Sequence, residues 1–122
     1  MKNLIRFIII SVVLSFTLSG CYYDKEDLIY PACDVSNVTY KATIAPILKT
    51  NCDGCHYTGS TTGNGIVTDN YNDLSGMATA DGMLWTAING IGVSPMPKNT
   101  SKLSDCDIAR IKKWIDGGAL NN

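Results

Sequence analysis

The only histidine of the chain follows two closely spaced cysteines, in the segment Cys52-Asp53-Gly54-Cys55-His56. Two thiols at this spacing can reach the two vinyl groups on one edge of a porphyrin, and the adjacent imidazole can then bind the iron beneath the ring. Gly54 lets the short loop turn tightly. The motif therefore predicts one covalently attached haem c, with thioether bonds at Cys52 and Cys55 and with His56 as an axial ligand of the iron.

Three other uses of these cysteines stay open in the sequence. A redox-active pair of the thioredoxin type would need a strand–helix–strand context, and none is visible. A zinc site would need a fourth ligand, nominally Cys33 or Cys106, and would leave one thiol unused. A structural disulfide between Cys52 and Cys55 would be strained by their close spacing. We expect haem, because the first 20 residues predict export from the cytoplasm, and c-type attachment takes place outside the cytoplasm.

The first 20 residues show the pattern of a bacterial lipoprotein signal peptide. Lys2 and Arg6 precede an apolar run of 12 residues at 7–18. As a helix this run is about 18 Å long, too short to cross a hydrocarbon core of about 30 Å. The tetrapeptide LSGC that ends at Cys21 resembles a lipobox and predicts lipidation of Cys21. Residues 21–38 then form the lipidated N-terminus and a tether, and residues 39–122 form the haem domain.

The leader and the charge of the chain predict its location and exclude one class of partner. A lipidated chain would be anchored to a membrane of the bacterial cell envelope, in the periplasm or at the cell surface. The charged cluster at 24–27 is either a solvated spacer, which we favour, or a signal for surface export. The formal charge of −1 argues against nucleic acid as a partner, because such binding needs a basic face.

Cys33 and Cys106 remain once lipid and haem have taken the other three of the five cysteines. One precedes the first predicted helix, and the other lies at the start of the last. The economical assignment is a disulfide that joins the two ends of the domain, which would stabilise the fold by about 4 kcal/mol in the chain-entropy model. Two unpaired buried thiols are the alternative.

The second axial ligand cannot be a histidine, because His56 is the only one. Methionine, lysine or an open site remain, since the α-amine of Cys21 should be acylated. Met96 lies between two prolines, and their restricted backbone can hold a thioether against a metal at low entropic cost. Met77 and Met83 suit core packing on short helices. We therefore expect Met96 as the ligand; the alternative is a methionine in a proline-rich surface loop.

Hydrophobic periodicity predicts an all-α domain of about four short helices, with no strand of period two. The predicted helices cover residues 43–51, 71–77, 83–88 and 104–116. Pro46 falls in the first turn of the first helix, where it is tolerated. Ser104 and Asp107 resemble a capping box at the start of the last helix. Residues 57–70 and 90–102 are rich in turn-forming residues and are predicted as loops.

The supply of core residues is small. After the leader, only 19 of 102 residues are Leu, Ile or Val, and no Phe remains. Such a chain buries a thin core and needs another source of apolar mass. A covalent haem would supply that mass, so folding is expected to depend on haem.

The chain resembles a small monohaem class I cytochrome c of the bacterial lipoprotein type over about residues 40–119. The matching segments are 44–48, 52–56, 71–74, 96–97 and 114–119. This resemblance implies haem thioethers at Cys52 and Cys55 and axial ligation by His56 and Met96. It also implies a fold in which the helix before the motif crosses the last helix near the haem.

These expectations favour a function in electron transfer rather than catalysis. His/Met ligation fills both axial positions and raises the reduction potential. We expect a lipid-anchored carrier of single electrons between redox partner proteins of the cell envelope. Lys98 and Lys102 would form a positive rim for an acidic partner, or are simply solvated. Two other functions stay open: a haem-based sensor in which Met96 dissociates to admit a small ligand, and an electron-donor subunit of an envelope oxidoreductase complex.

Overall fold

The computed structural model describes residues 33–122. The predicted signal peptide, the lipidation site Cys21 and residues 22–32 of the predicted tether lie outside the described residues. The helical elements of the described part are a π-helical turn (Tyr40–Ile44), α1 (Ala45–Asn51), α2 (Tyr71–Ser75), α3 (Met83–Asn89) and α4 (Asp105–Asp116). No strand occurs between residues 33 and 122, so the predicted all-α class with four short helices is confirmed.

The first helical segment starts earlier than the sequence predicts. The π-helical turn begins at Tyr40 rather than near Thr43, because the Thr39 hydroxyl accepts a hydrogen bond from the backbone N–H of Ala42 at 3.2 Å. Pro46 is the second residue of α1, which follows directly after the π-helical turn. The segment then delivers the chain directly to Cys52, whose N–H donates to the Leu48 carbonyl at 2.7 Å.

The other helices keep their predicted places with small shifts at their ends. α2 stops at Ser75, two residues before the predicted Met77, and α3 runs to Asn89. Ser104 caps α4 by accepting from the Asp107 N–H at 3.0 Å. The Asp107 carboxylate accepts from the Ser104 hydroxyl at 2.8 Å, so the predicted box forms with a side-chain partner instead of the Ser104 backbone.

The core lies between α4 and the segments that precede it. It contains 12 buried hydrophobic residues: Ile44, Leu48, Leu74, Ala78, Leu84, Ile88, Leu103, Ile108, Ile111, Trp114, Ile115 and Ala119. The rings of Tyr40 and Trp114 lie 5.8 Å apart, and those of Tyr40 and Tyr71 lie 5.1 Å apart. These aromatic contacts hold α4 and α2 against the π-helical turn. Among residues 33–122 no helix has both the length and the apolar character needed to cross a bilayer.

Both ends of the described chain are fastened to the helices. Cys33 and Cys106 are joined by a disulfide, with their Cα atoms 5.3 Å apart. Arg110 of α4 donates to the Asp34 carbonyl at 3.4 Å, so this end of the predicted tether lies against the domain. At the other end, the Asn122 carbonyl accepts from the backbone N–H of Lys41 at 3.0 Å.

Candidate haem site

One apolar cavity brings together residues that are distant in the sequence. His56 and Met96, 40 positions apart, both line a cavity of about 250 Å³, together with Cys52. Cys55 is exposed beside it and is not part of the lining. No Asp, Glu, Lys or Arg lines the cavity, which suits the apolar body of a porphyrin. Among the described residues, α4 contributes nothing to the lining and supports the cavity from the core side.

A backbone carbonyl orients the imidazole. Nδ1 of His56 lies 3.3 Å from the Ile66 carbonyl, which can only accept a hydrogen bond, so Nδ1 is the donor. This interaction fixes the tautomer and leaves Nε2 available as a metal ligand. Nothing in the sequence points to Ile66, because every residue has a carbonyl and only the fold decides which one faces the imidazole.

Gly63 leaves the space in which this contact forms. A Cβ atom at this position would lie 2.6 Å from the Cys55 carbonyl oxygen and 3.0 Å from both His56 Nδ1 and the Ile66 carbonyl oxygen. Any side chain here would push the imidazole away from its acceptor. Gly63 is therefore a functional residue that sequence reasoning missed, since the loop contains several glycines of similar appearance.

Thr68 ties the far end of the loop back to the motif. Its backbone N–H donates to the His56 carbonyl at 2.8 Å, and its hydroxyl lies 2.9 Å from Asp53 Oδ1 and 3.1 Å from the same carbonyl. Thr68 is the buried polar residue of the described part, and its polar atoms are satisfied. Asp53, a variable position of the motif, thereby takes part in the support of His56.

Two further hydroxyls hold the second cysteine of the motif. The carbonyl of Cys55 accepts from the Ser60 hydroxyl at 2.5 Å and from the Thr62 hydroxyl at 3.3 Å. The Gly63 N–H in turn donates to Ser60 Oγ at 3.2 Å. The loop after the motif thus fixes the backbone of Cys55.

The thiol chemistry separates the alternatives that the sequence left open. Burial, with the neighbouring Asp53 charge, raises the pKa of Cys52 to about 11. A zinc site at the motif would need a fourth ligand, and the nominal candidates Cys33 and Cys106 are bonded to each other. Within residues 33–122 no group of three His, Cys, Asp or Glu side chains is placed to hold a metal ion. Cys52 and Cys55 are not bonded to each other, which excludes the structural disulfide between them.

Three methionines line the same cavity. The backbone N–H of Met96 donates to the Ala87 carbonyl of α3 at 2.9 Å, which fixes the segment between the two prolines. Met77 and Met83 also line the cavity, and Met83 is 50% exposed. Their assignment to the core was wrong, because α2 ends before Met77 and Met83 begins α3 at the edge of the cavity.

Residues 41–115, more than half of the chain, match the profile of a family described as cytochrome c oxidase, cbb3-type, subunit III. The match spans the motif, the cavity and nearly all of the helices. The chain belongs to this family of c-type cytochromes. The resemblance to a small class I monohaem cytochrome c is thereby confirmed, and with it the covalent haem c. Neither the curated proteins nor the solved structures give a significant match.

The residues of the cavity fit this cofactor. Two free thiols, an imidazole whose Nδ1 is already engaged and a thioether all surround or adjoin one apolar space. Haem supplies an iron that changes between Fe(III) and Fe(II), and the cytochrome serves as an electron carrier rather than as an enzyme in its own right. The protein contributes attachment, orientation and exclusion of water.

Proposed function

We propose that this cytochrome is a lipid-anchored carrier that passes single electrons between redox partners of the bacterial cell envelope. In this proposal Cys52 and Cys55 attach the haem, and His56 and Met96 are the axial ligands. The supporting observation is that His56 and Met96 line the same uncharged cavity although they lie on different loops. Two permanent ligands keep the iron six-coordinate in both oxidation states, which suits electron transfer and disfavours binding of oxygen.

The absorption spectrum of the full chain, co-expressed with the c-haem maturation machinery, tests this ligand set. We expect a haem that stays with the protein through acid–acetone extraction, and a sulfur-to-iron charge-transfer band in the oxidised state. A colourless protein would contradict the proposal outright. A coloured protein without the band would keep the cytochrome and remove Met96 as ligand.

The lipid anchor at Cys21 is proposed from the signal-peptide pattern, and the tether limits how far the haem domain can lie from the membrane. The LSGC tetrapeptide that ends at Cys21 is the feature that supports lipidation. From Cys21 to Cys33 the chain has 12 residue steps, which extend to at most about 40 Å. The parent chain should incorporate a labelled fatty acid, and Cys21→Ser should abolish this incorporation with an unchanged haem spectrum. Incorporation of the label by the variant would contradict lipidation at this position.

The face that a partner would approach is apolar at the cavity and basic beside it. Three of the exposed large hydrophobic side chains, Met83, Ile91 and Val93, belong to the segment 82–97, which contains no charged residue. Of the two lysines near Met96 in the sequence, Lys102 forms an ion pair with Asp105 at 3.3 Å. For Lys98 no ion pair is found among residues 33–122. We propose that a partner contacts the apolar segment first and Lys98 at its edge.

A second candidate function is supported by the description of the family. It names a subunit of an oxidase, which supports an electron-donor subunit of an envelope oxidoreductase complex as the alternative to a carrier that acts alone. Solubilisation of membranes in mild detergent, followed by size separation, distinguishes the two. A subunit would migrate with a larger complex, whereas a carrier would migrate alone.

A further inference from the structure

The C-terminal end of α3 forms a tight helix-ending turn. The Gly90 N–H donates to the Ala87 carbonyl at 3.2 Å, and the Ile91 N–H donates to the Thr86 carbonyl at 2.9 Å. This pair of hydrogen bonds is a Schellman motif, and it requires a left-handed residue after the helix. Gly90 occupies that position, with φ of 65° and ψ of 32°.

The same turn carries the backbone of Met96. The Ala87 carbonyl, already an acceptor for Gly90, also accepts from the Met96 N–H at 2.9 Å. Within the described part of the chain, this is the one hydrogen bond found between residues 92–99 and any other segment. The position of the Met96 backbone therefore depends on where the end of α3 places one oxygen atom.

Gly90 also touches the residue before Met96. A Cβ added to Gly90 would lie 3.3 Å from Cβ of Pro95, 3.8 Å from its Cα and 3.9 Å from its Cγ. The proline would then have to give by a few tenths of an ångström. Pro95 is rigid and directly joined to Met96, so a displacement at Pro95 is passed on to the ligand segment.

We infer that Gly90 is a positioning residue for the Met96 thioether: its bare Cα lets Pro95 pack against the end of α3 and so sets Met96 within bonding reach of the iron. This inference rests on the proposed function, in which Met96 is the axial ligand. Binding constellations need to be held within about 0.5 Å of their productive geometry, so a shift of a few tenths of an ångström at Pro95 takes up much of that tolerance and should weaken the ligand bond without abolishing it.

Two substitutions of Gly90 in the haem-loaded full chain separate contact from backbone strain. Gly90→Ala adds both a Cβ and left-handed strain, whereas Gly90→Asn adds the Cβ with little strain, because asparagine tolerates this conformation. We expect both variants to bind imidazole at the ferric iron about tenfold more tightly, a factor that corresponds to 1.4 kcal/mol. The sulfur-to-iron charge-transfer band should weaken in both.

Gly92 supplies a matched control in the same loop. Its φ of 69° is also left-handed, but a Cβ at Gly92 meets nothing within 4 Å. Gly92→Ala should therefore show the strain without the contact, with an imidazole affinity and a band like those of the unsubstituted protein. Gly118→Ala, with φ of 88° and no neighbour within 4 Å after α4, controls for strain at a helix end.

The outcomes distinguish this inference from the function on which it rests. Equal effects of Gly90→Ala and Gly92→Ala, or a Gly90→Asn variant with unchanged imidazole affinity and band, would overturn the positioning role. Absence of the band in the unsubstituted protein would instead overturn Met96 ligation itself. A melting temperature recorded for each variant shows whether a change of affinity accompanies a general loss of stability.

Discussion

The two loops that carry the proposed iron ligands are held in different ways. In the His56 loop, residues 56–70, hydroxyls and carboxylates bind backbone groups throughout, and the Ile66 carbonyl orients the imidazole itself. In the Met96 loop, residues 90–102, one hydrogen bond to Ala87 and the packing of Pro95 on Gly90 fix the ligand segment. The histidine side of the site is therefore held by more hydrogen bonds than the methionine side, and we expect it to be the more rigid half.

The composition of the loops explains this difference. Residues 57–70 contain five Ser or Thr side chains and residues 90–102 contain three, with prolines on both sides of the methionine. Of these three, only the Thr100 hydroxyl is found in a hydrogen bond, and its acceptor, the Ser101 carbonyl, lies in the same loop. Hydroxyls bind nearby backbone groups and stiffen a loop by hydrogen bonds. Prolines stiffen a loop by restricting its backbone but donate no hydrogen bond. The first loop can hold a ligand by itself, while the second depends on the helix against which it packs.

Removal of both haem-attaching thiols should have the largest effect, because it takes the central apolar body away from both loops. We expect Cys52→Ser/Cys55→Ser to lose covalent haem and to be largely unfolded, with little cooperative melting by circular dichroism. The control Cys33→Ser/Cys106→Ser should keep haem and lose about 4 kcal/mol of stability. A well-folded haem-free variant would show that the 12-residue core suffices alone.

Loss of the proposed methionine ligand should have the second-largest effect. Met96→Ala should keep its haem, lose the sulfur-to-iron charge-transfer band and have a lower reduction potential. If the thioether is dissociated about 1% of the time, its removal tightens imidazole binding about 100-fold. Met83→Ala, in the same cavity, is the control and should keep the band. Persistence of the band in Met96→Ala would assign ligation to Met77 or Met83.

Removal of one hydrogen-bonding hydroxyl from the His56 loop should have a smaller effect. Thr68→Val removes the hydroxyl that lies 2.9 Å from Asp53 and 3.1 Å from the His56 carbonyl. Loss of a buried hydrogen-bonding group costs about 1–3 kcal/mol, which thermal unfolding of the haem-loaded protein would detect. The exposed Thr61, for which no hydrogen bond is found, gives the control Thr61→Val. Equal melting temperatures for the two variants would contradict the role of Thr68.

Acidification should have the smallest of these effects, a partial loss of the hydrogen bonds that Asp69 accepts in the His56 loop. The backbone N–H of Thr58, together with its hydroxyl, holds the pKa of Asp69 below its ordinary value of 3.8. Because the folded pKa is lowered, this contribution is present above pH 3.8 and is lost as the pH falls through the folded value. Amide exchange in residues 57–70, compared at pH 5 and pH 3, should increase more steeply than in residues 90–102 after correction for intrinsic rates.

Asp69→Asn gives the control for this acid effect. The variant has no carboxylate to protonate, so the exchange of its 57–70 loop should be raised already at pH 5 and should change little on acidification. Asp81→Asn, at an exposed aspartate outside both loops, should behave like the unsubstituted protein. A loop that keeps the same pH dependence in Asp69→Asn would contradict the assignment to this carboxylate.

The sequence by itself determined the features that depend on neighbours along the chain. The spacing of Cys52, Cys55 and His56 predicts haem attachment, because the two thiols and the imidazole that would bind the haem lie within five consecutive residues. Apolar periodicity predicts the four helices, and it fails only at their ends, where Thr39 starts the first segment early and α2 stops before Met77. A cap or a chain reversal shifts such boundaries without changing the pattern.

Only the tertiary structure decided how the site is supported. The Ile66 carbonyl, the space at Gly63 and the contact of Gly90 with Pro95 involve backbone atoms that most residues share, so residue type carries no signal for them. The placement of Met77 and Met83 was likewise set by where α2 ends and α3 begins. Local spacing can specify which groups attach a cofactor, whereas the atoms that orient those groups come from segments that meet only when the chain folds.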